Sequence, residues 1–395
     1  MKITVIGAGA AGFAASIAAA ETGAEVVLLE RNDRALKKLL STGNGRCNLS
    51  NVKLDAKRYH GDIRFVESAF NKFGLKDTIM FFQNMGIPMK REGDKLFPYS
   101  LQAASVSDML RLYAEDKGIR LCTGVEAKKI KTDKGFTVIT NQGNFACDKV
   151  IVAVGGKAAS QLSGGGAYHL LTALGHSKGA LMPALVPVKT EGTKALAGTK
   201  TDASIAMYDK DRLIAKENGE LLFTEYGLSG PPILQLTAAM PRESGCELVV
   251  DLLPEFDSKH LLAILDARTK LCVPIEKYFT GFLKKTIGQA VIKDAGLKNT
   301  APASSLSRAD LMRMVALIKE RKYTITGTQG WQQAQVTAGG IDTREFDEYM
   351  QSRKVPGLYA VGEMLNIHGD CGGFNLQWAW SSAMCAVDAI IGGNK

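Results

Sequence analysis

Lys2-Ile-Thr-Val-Ile-Gly-Ala-Gly-Ala-Ala-Gly12 is the stretch on which the reading of the whole chain turns. A β-branched run over residues 2–6 favours a strand, and it passes directly into Gly7, Gly9 and Gly12. Alanines from about 10 to 22 continue the pattern as a helix, because alanine loses least on entering one. Ala24-Glu-Val-Val-Leu-Leu-Glu30 then reads as a second buried strand ending in an acid. Strand, glycine turn, helix and strand within about 30 residues form a dinucleotide-binding unit. Gly7 and Gly9 permit the tight turn and the close approach of a pyrophosphate, with Ala10 and Ala11 opening the helix. Gly12 lets helix and strand pack closely, and Glu30 accepts from a ribose. The helix N-terminus adds free N–H groups and the positive end of a dipole.

The rest of the chain is consistent with a globular protein of several domains. It has 395 residues, 46% of them hydrophobic and 23% charged. The net charge of +9 suits a polyanionic partner or a scattered solvated surface. Seven cysteines without a Cys-x-x-Cys pair, and five dispersed histidines, give no disulfide framework and no metal site. The apolar start lacks a basic leader and is broken by its glycines, and no long uncharged apolar run follows. The expectation is a cytoplasmic protein with no membrane contact.

Further glycine motifs lie far downstream. Asp148-Lys-Val-Ile-Val-Ala-Val-Gly-Gly156 reads as a buried strand ending at Gly155 and Gly156, and Gly164-Gly-Gly166 follows. From about 187 to 252 the chain turns to short β-like segments, and from 258 to 322 it is helical and basic. Glycine-rich strands return at Gln335–Ile341 and Gly357-Leu-Tyr-Ala-Val-Gly-Glu363, and a last helix spans about 376–391. The expected organisation is an α/β, Rossmann-like domain from both chain ends, 1–187 and 331–395. An inserted β-rich module (188–255) and an inserted basic helical module (256–330) lie between them.

Ala153–Gly156 and Gly357–Glu363 resemble the further signatures of the two-dinucleotide-binding flavoproteins. Ser41-Thr-Gly-Asn-Gly-Arg-Cys-Asn48, with Gly340, Gly362-Glu363 and Gly373-Phe-Asn-Leu-Gln-Trp-Ala-Trp380, is similar to a more specific group. This is the bacterial NAD(P)/FAD-dependent oxidoreductase family, which includes aminoacetone oxidase, a 3-dehydro-bile-acid Δ4,6-reductase and a ribosomal RNA dihydrouridine synthase. The resemblance covers essentially the whole chain, including Leu222–Pro231. It implies FAD as cofactor, with NAD(P)H as a transient reductant. The implied cofactor contacts are Gly7, Gly9, Ala10, Ala11, Gly12, Glu30, Arg31, Lys38 and Val125. They continue through Gly43, Asn44, Gly45, Arg46, Cys47 and Asn48, then Ala153, Gly155 and Gly156, and finally Gly362, Glu363, Gly373, Asn375 and Leu376. The loop 43–48 is expected to wrap the flavin.

Cys47 and Arg46 are the expected catalytic residues. Cys47 is either a proton donor to carbon or a small polar filler, and Arg46 either an anion contact or half of a surface ion pair. His368 is either a proton donor or a loop histidine. Trp378 and Trp380 are expected in the core. Asn366 and His368 depart from the family pattern and imply a different substrate. The expected reaction reduces an electron-poor C=C bond, first of all uracil in large-subunit ribosomal RNA. A 3-oxo steroid enone as substrate, or oxidation of a small amine, are the alternatives. An RNA partner is favoured by the basic insertion, a small-molecule substrate otherwise; the sequence leaves the oligomeric state open.

Overall fold

The computed structural model describes residues 1–241 and 245–392. The chain divides into two units, Met1–Ala184 with Ala334–Lys395, and Leu185–Gln333.

In the first unit, five parallel strands are found among the described residues. Their order is Leu358–Ala360, Lys149–Val152, Lys2–Ile6, Glu25–Leu29 and Arg120–Cys122. Val5 lies opposite Ile151 on one side and Leu28 on the other, and all three are fully buried. Parallel strands covered on both faces need such continuous apolar runs. The opening strand is therefore central, and connections depart to either side of it. That switch point is where open α/β sheets bind ligands, at the strands' C-terminal ends.

Helix Ala10–Glu21 follows the opening strand and packs against the last helix, Phe374–Gly392. Gly12 is dictated by space: a Cβ there would lie 1.8 Å from the Gly7 carbonyl oxygen. Gly7 has φ +104°, and its Cβ would meet the Ala153 oxygen at 2.5 Å. Phe136–Thr140 and Gly143–Cys147 pair antiparallel, as the intervening Asn-Gln-Gly sequence predicts. Trp378 and Trp380 are buried, as expected.

The chain leaves this unit through Met182–Ala184 and returns through Val336–Ala338, and these two strands pair antiparallel. Between them lies the second unit. Its described strands form a closed barrel in the order Val188–Thr190, Gly227–Ser229, Arg212–Thr224, Lys200–Asp209, Glu247–Asp251 and Arg321–Thr328. Helices Ser258–Arg268, Lys285–Asp294 and Arg308–Lys319 precede the closing strand in sequence. Strands and helices share one apolar core, which includes Phe223, Leu248, Leu265, Val291 and Met314.

Candidate functional site

The turn after the opening strand is built to receive an oxygen-rich ligand. Ala8 N–H donates to Glu30 Oε2 at 3.0 Å, and Asn32 donates to Oε1 from its backbone at 2.8 Å and its side chain at 2.7 Å. Glu30 is 8% exposed. A carboxylate accepts about four hydrogen bonds, so this buried one retains acceptor capacity. Its main chain is fixed by Glu30 N–H to Cys122 O and Val125 N–H to Glu30 O, both 2.8 Å. A Cβ on Gly9, the residue that caps the helix, would meet nothing within 4 Å, and the same holds for Gly155. Backbone there is open to close approach. Ala10, Ala11 and Gly12 make the first turn, whose N–H groups have no intrahelical acceptor.

Lys38 and Glu363, read from sequence as separate contacts, meet each other: Nζ lies 2.5 Å from Oε2. Glu363 Oε1 also accepts from Thr337 N–H at 2.8 Å. Gly156 lies against this group, since its Cβ would sit 2.6 Å from Glu363 Oε1. Ala153 N–H donates to Ile6 O at 2.8 Å, holding that turn beside Gly7. Gly362 is gripped by the last helix: its N–H donates to Ser382 Oγ and its oxygen accepts from Trp378 Nε1, each at 3.0 Å.

The polar loop 41–51 is tied to the start of the same helix. Trp380 Nε1 donates to Leu49 O at 3.0 Å, Ser50 Oγ to Gln377 Oε1 at 2.5 Å, and Asn51 Nδ2 to Gly372 O at 2.9 Å. Gly43, Asn44, Gly45 and Cys47 all have positive φ, and Gly43, Asn44 and Gly45 are exposed. Asn48 is buried, its Oδ1 has no hydrogen-bond partner among the described residues, and a Cβ on Gly373 would lie 2.7 Å from it. Leu376, one turn further on, is half-buried. Asn375 spends its amide within the loop, pairing with Gly369 N–H and O at 2.8 Å each.

The two expected catalytic residues differ sharply. Arg46 pairs with Glu92 at 2.8 Å and lies over the Phe97 ring at 4.4 Å. That is an ion pair, with the Arg46 side chain 43% exposed. Cys47 is fully buried in the core. Burial pushes its thiol up to about 12, against a hydrogen bond with Thr42 that lowers it. Such a thiol stays protonated near neutral pH and is not an activated nucleophile.

Sequence reading missed a charged cluster beside the same loop. Strands Tyr59–Gly61 and Ile367–Gly369 pair antiparallel with His60 opposite His368, and the two imidazoles stack at 4.8 Å. The buried Asp370 carboxylate contacts His60 Nε2 at 3.1 Å and Arg58 at 3.2 Å. His60 is 31% exposed at its side chain. No sequence signal unites these residues, since Asp370 and His60 are 310 positions apart. Among the described residues, no group of three His, Cys, Asp or Glu is placed to hold a metal ion. No helix among them is long and apolar enough to cross a membrane.

The spare capacity of Glu30, the open backbone at Gly9 and Gly155 and the orphaned Asn48 oxygen together fit a long, polar dinucleotide. Fold and site define an FAD-dependent oxidoreductase on a Rossmann-like domain. Residues 1–389 match the family described as HI0933-like protein Rossmann domain, and the chain belongs to that family. A relative from Clostridium scindens, named 3-dehydro-bile acid delta(4,6)-reductase, is 36% identical over 98% of each chain. A relative from Escherichia coli, named ribosomal RNA dihydrouridine synthase, is 30% identical over 98% of this chain and 97% of its own. In fold, the chain is similar to 3-ketosteroid delta1-dehydrogenase from Sterolibacterium denitrificans. That likeness has a TM-score of 0.53 at 12% identity and covers 99% of both chains.

Proposed function

We propose that this protein reduces a conjugated C=C bond of a small 3-oxo, steroid-like enone, with FAD bound and a nicotinamide dinucleotide as the ultimate reductant. The observation that carries this reading is the 36% identity, over 98% of the chain, to a relative named as a delta(4,6)-reductase. FAD, when bound, supplies the hydride. The protein supplies the pocket, the orientation and a proton. Gly7, Gly9, Gly12 and Glu30 would hold the adenosine and pyrophosphate side, and loop 43–48 with Gly373 would wall the flavin side. Helix N–H groups near Gly373 favour negative charge developing there.

Cys47 belongs to that wall as a packed residue. His60 is the better proton source, because it is partly exposed and its Nε2 is fixed by Asp370. The buried Cys47 thiol, held at about 12, keeps its proton near neutral pH.

The sequence alone favoured ribosomal uracil, and two relatives carry the dihydrouridine synthase name at 30% and 29% identity. That reading stands second. Its main support was the basic insertion, and several of those cations are engaged within their own unit. Lys319 binds Asp251 at 2.6 Å, Arg321 binds Asp294 at 2.7 Å, Arg313 donates to Ala295 O at 2.8 Å, and Lys284 donates to Lys200 O.

Anaerobic stopped flow tests the choice. The prereduced protein is mixed with a 3-oxo-4,6-diene steroid, a uridine-containing ribosomal fragment, or oxygen. The steroid is expected to reoxidise the flavin fastest. His60→Gln should slow that step by about 10²-fold, and Cys47→Ala should leave it near the parental rate. Faster reoxidation by the RNA fragment, or by oxygen, would replace this reading with the uracil or the amine-oxidase one.

A further inference from the structure

Three consecutive glycines, Gly164, Gly165 and Gly166, have φ values of +72°, +88° and +71°. Two of them are required by their neighbours. A Cβ on Gly164 would lie 1.7 Å from the Arg31 guanidinium, so that side chain rests directly on the Gly164 backbone. A Cβ on Gly166 would lie 2.8 Å from the Tyr168 ring and 3.2 Å from Gly155 O. Asn32 Nδ2 also reaches Leu162 O at 3.4 Å. The segment is thus anchored at one end just beyond Glu30 and at the other at the turn after Val152. It bridges the C-terminal ends of the two strands that flank the opening strand.

Tyr168 closes the bridge. It is 7% exposed, and its hydroxyl has no hydrogen-bond partner among the described residues. Burial first, and the Glu363 carboxylate second, raise its pKa well above the ordinary phenol value, so it remains a proton-bearing donor. Glu363 itself is engaged by Lys38 and Thr337. Buried polar atoms nearly always have a partner, and an exception calls for an explanation; beside the glycine turns at Gly155 and Gly166, a bound ligand supplies one.

We propose that Gly164–Tyr168 is a cofactor-binding strap, in which the Tyr168 hydroxyl hydrogen-bonds an oxygen of the bound dinucleotide and Arg31 is braced for it by Gly164. The proposal rests on the FAD class assigned above and adds a contact that neither the opening fingerprint nor the late Gly-Glu motif supplies. It explains why a glycine triplet lies in a segment outside every nucleotide fingerprint.

The test is FAD binding to the full-length apoprotein, followed by flavin fluorescence and by the rise in melting temperature on saturation. Tyr168→Phe removes one oxygen and keeps the ring. It should leave the apoprotein's melting temperature unchanged or slightly higher and weaken FAD about tenfold. Gly164→Ala should also weaken FAD, by displacing Arg31, with the circular dichroism spectrum of the parent. A Tyr168→Phe variant that binds FAD within twofold of the parent overturns the strap, as does a Gly164→Ala variant that is folded and binds normally. If the parent itself binds no FAD, the class assignment fails, and the strap falls with it.

Discussion

The nucleotide unit and the inserted unit differ in where their open polar groups and their engaged cations lie. Around the parallel sheet, capacity is left open: Glu30 has room for another donor, and Asn48 Oδ1 and Tyr168 OH have no partner among the described residues. In the inserted unit, charge is turned inward onto the backbone. Arg268 donates to Tyr278 O and Thr280 O, Lys319 to Leu253 O and Phe256 O, and Arg313 to Ala295 O. Beside its glycine turns the first unit keeps acceptors and a donor open to a ligand, whereas the second ties several of its cations to its own helix ends and turns. The Thr190, Thr193 and Ser204 hydroxyls of the second unit also lack a partner among the described residues. A high lysine and arginine count is therefore poor evidence of a polyanion surface until each cation's partner is known.

The sharpest way to break this contrast is Arg321→Glu. Arg321 is 12% exposed at its side chain and paired with Asp294 and the Tyr323 hydroxyl. Reversal leaves Asp294 facing a like charge and the Tyr323 hydroxyl without its donor, and should cost about 1–3 kcal/mol, read by urea denaturation. The triple change of Lys285, Lys293 and Lys298 to Glu, all exposed, should move stability by about 0.5 kcal/mol or less per site. If Arg321→Glu is as mild as the lysine changes, the inward use of charge is wrong.

Glu30→Ala should weaken FAD by about 1–3 kcal/mol, measured by titration of the apoprotein. Unchanged affinity would mean that the spare acceptor of Glu30 is not used. A smaller effect concerns acid stability in the nucleotide unit. Burial raises the Glu345 carboxyl, but Lys354, the Ser177 N–H and His176 outweigh it and hold the pKa at about 2. A carboxylate depressed on folding contributes stability above its unfolded pKa of about 4.3. That contribution is lost as pH falls toward 2. Melting temperatures of Glu345→Gln should therefore fall less steeply than the parent's between pH 5 and about 3. The smallest effect is chemical: with native protein at pH 8, a thiol reagent should label exposed Cys272 and leave Cys47 untouched. Mass spectrometry of the peptides decides it.

What was legible in the sequence was whatever is written in one continuous stretch. Gly7, Gly12 and Glu30 sit within 24 residues of each other, and the geometry of a tight turn demands those types at those spacings. The opening strand was legible as a β-branched run passing straight into the glycine turn, while its central place in the sheet was not. What was not legible depends on pairing across the chain. Asp370 acquires meaning only when strand Ile367–Gly369 lies beside Tyr59–Gly61, and Tyr168 only beside Gly155 and Glu363. Arg321 reads as one more surface cation until its strand closes a barrel. Cys47 is the reverse case: it stands among polar loop residues in the sequence, yet its side chain is fully buried.

The edge strand Leu358–Ala360 and the Trp378 and Ser382 clamp on Gly362 also set an order of assembly. A ribosome would deliver the barrel as one continuous stretch, free to fold as soon as residue 328 is clear of the exit tunnel. The parallel sheet, drawn from both sides of that stretch in sequence, must wait. Its first 184 residues emerge without their edge strand and without the helix that pins the late glycine turn. Newly made chains will pass through a stage with a finished inserted unit and an unfinished nucleotide fold, in which the apolar face meant for the last helix is still bare. That interval is when a chaperone is most needed, and when FAD has no complete site to enter.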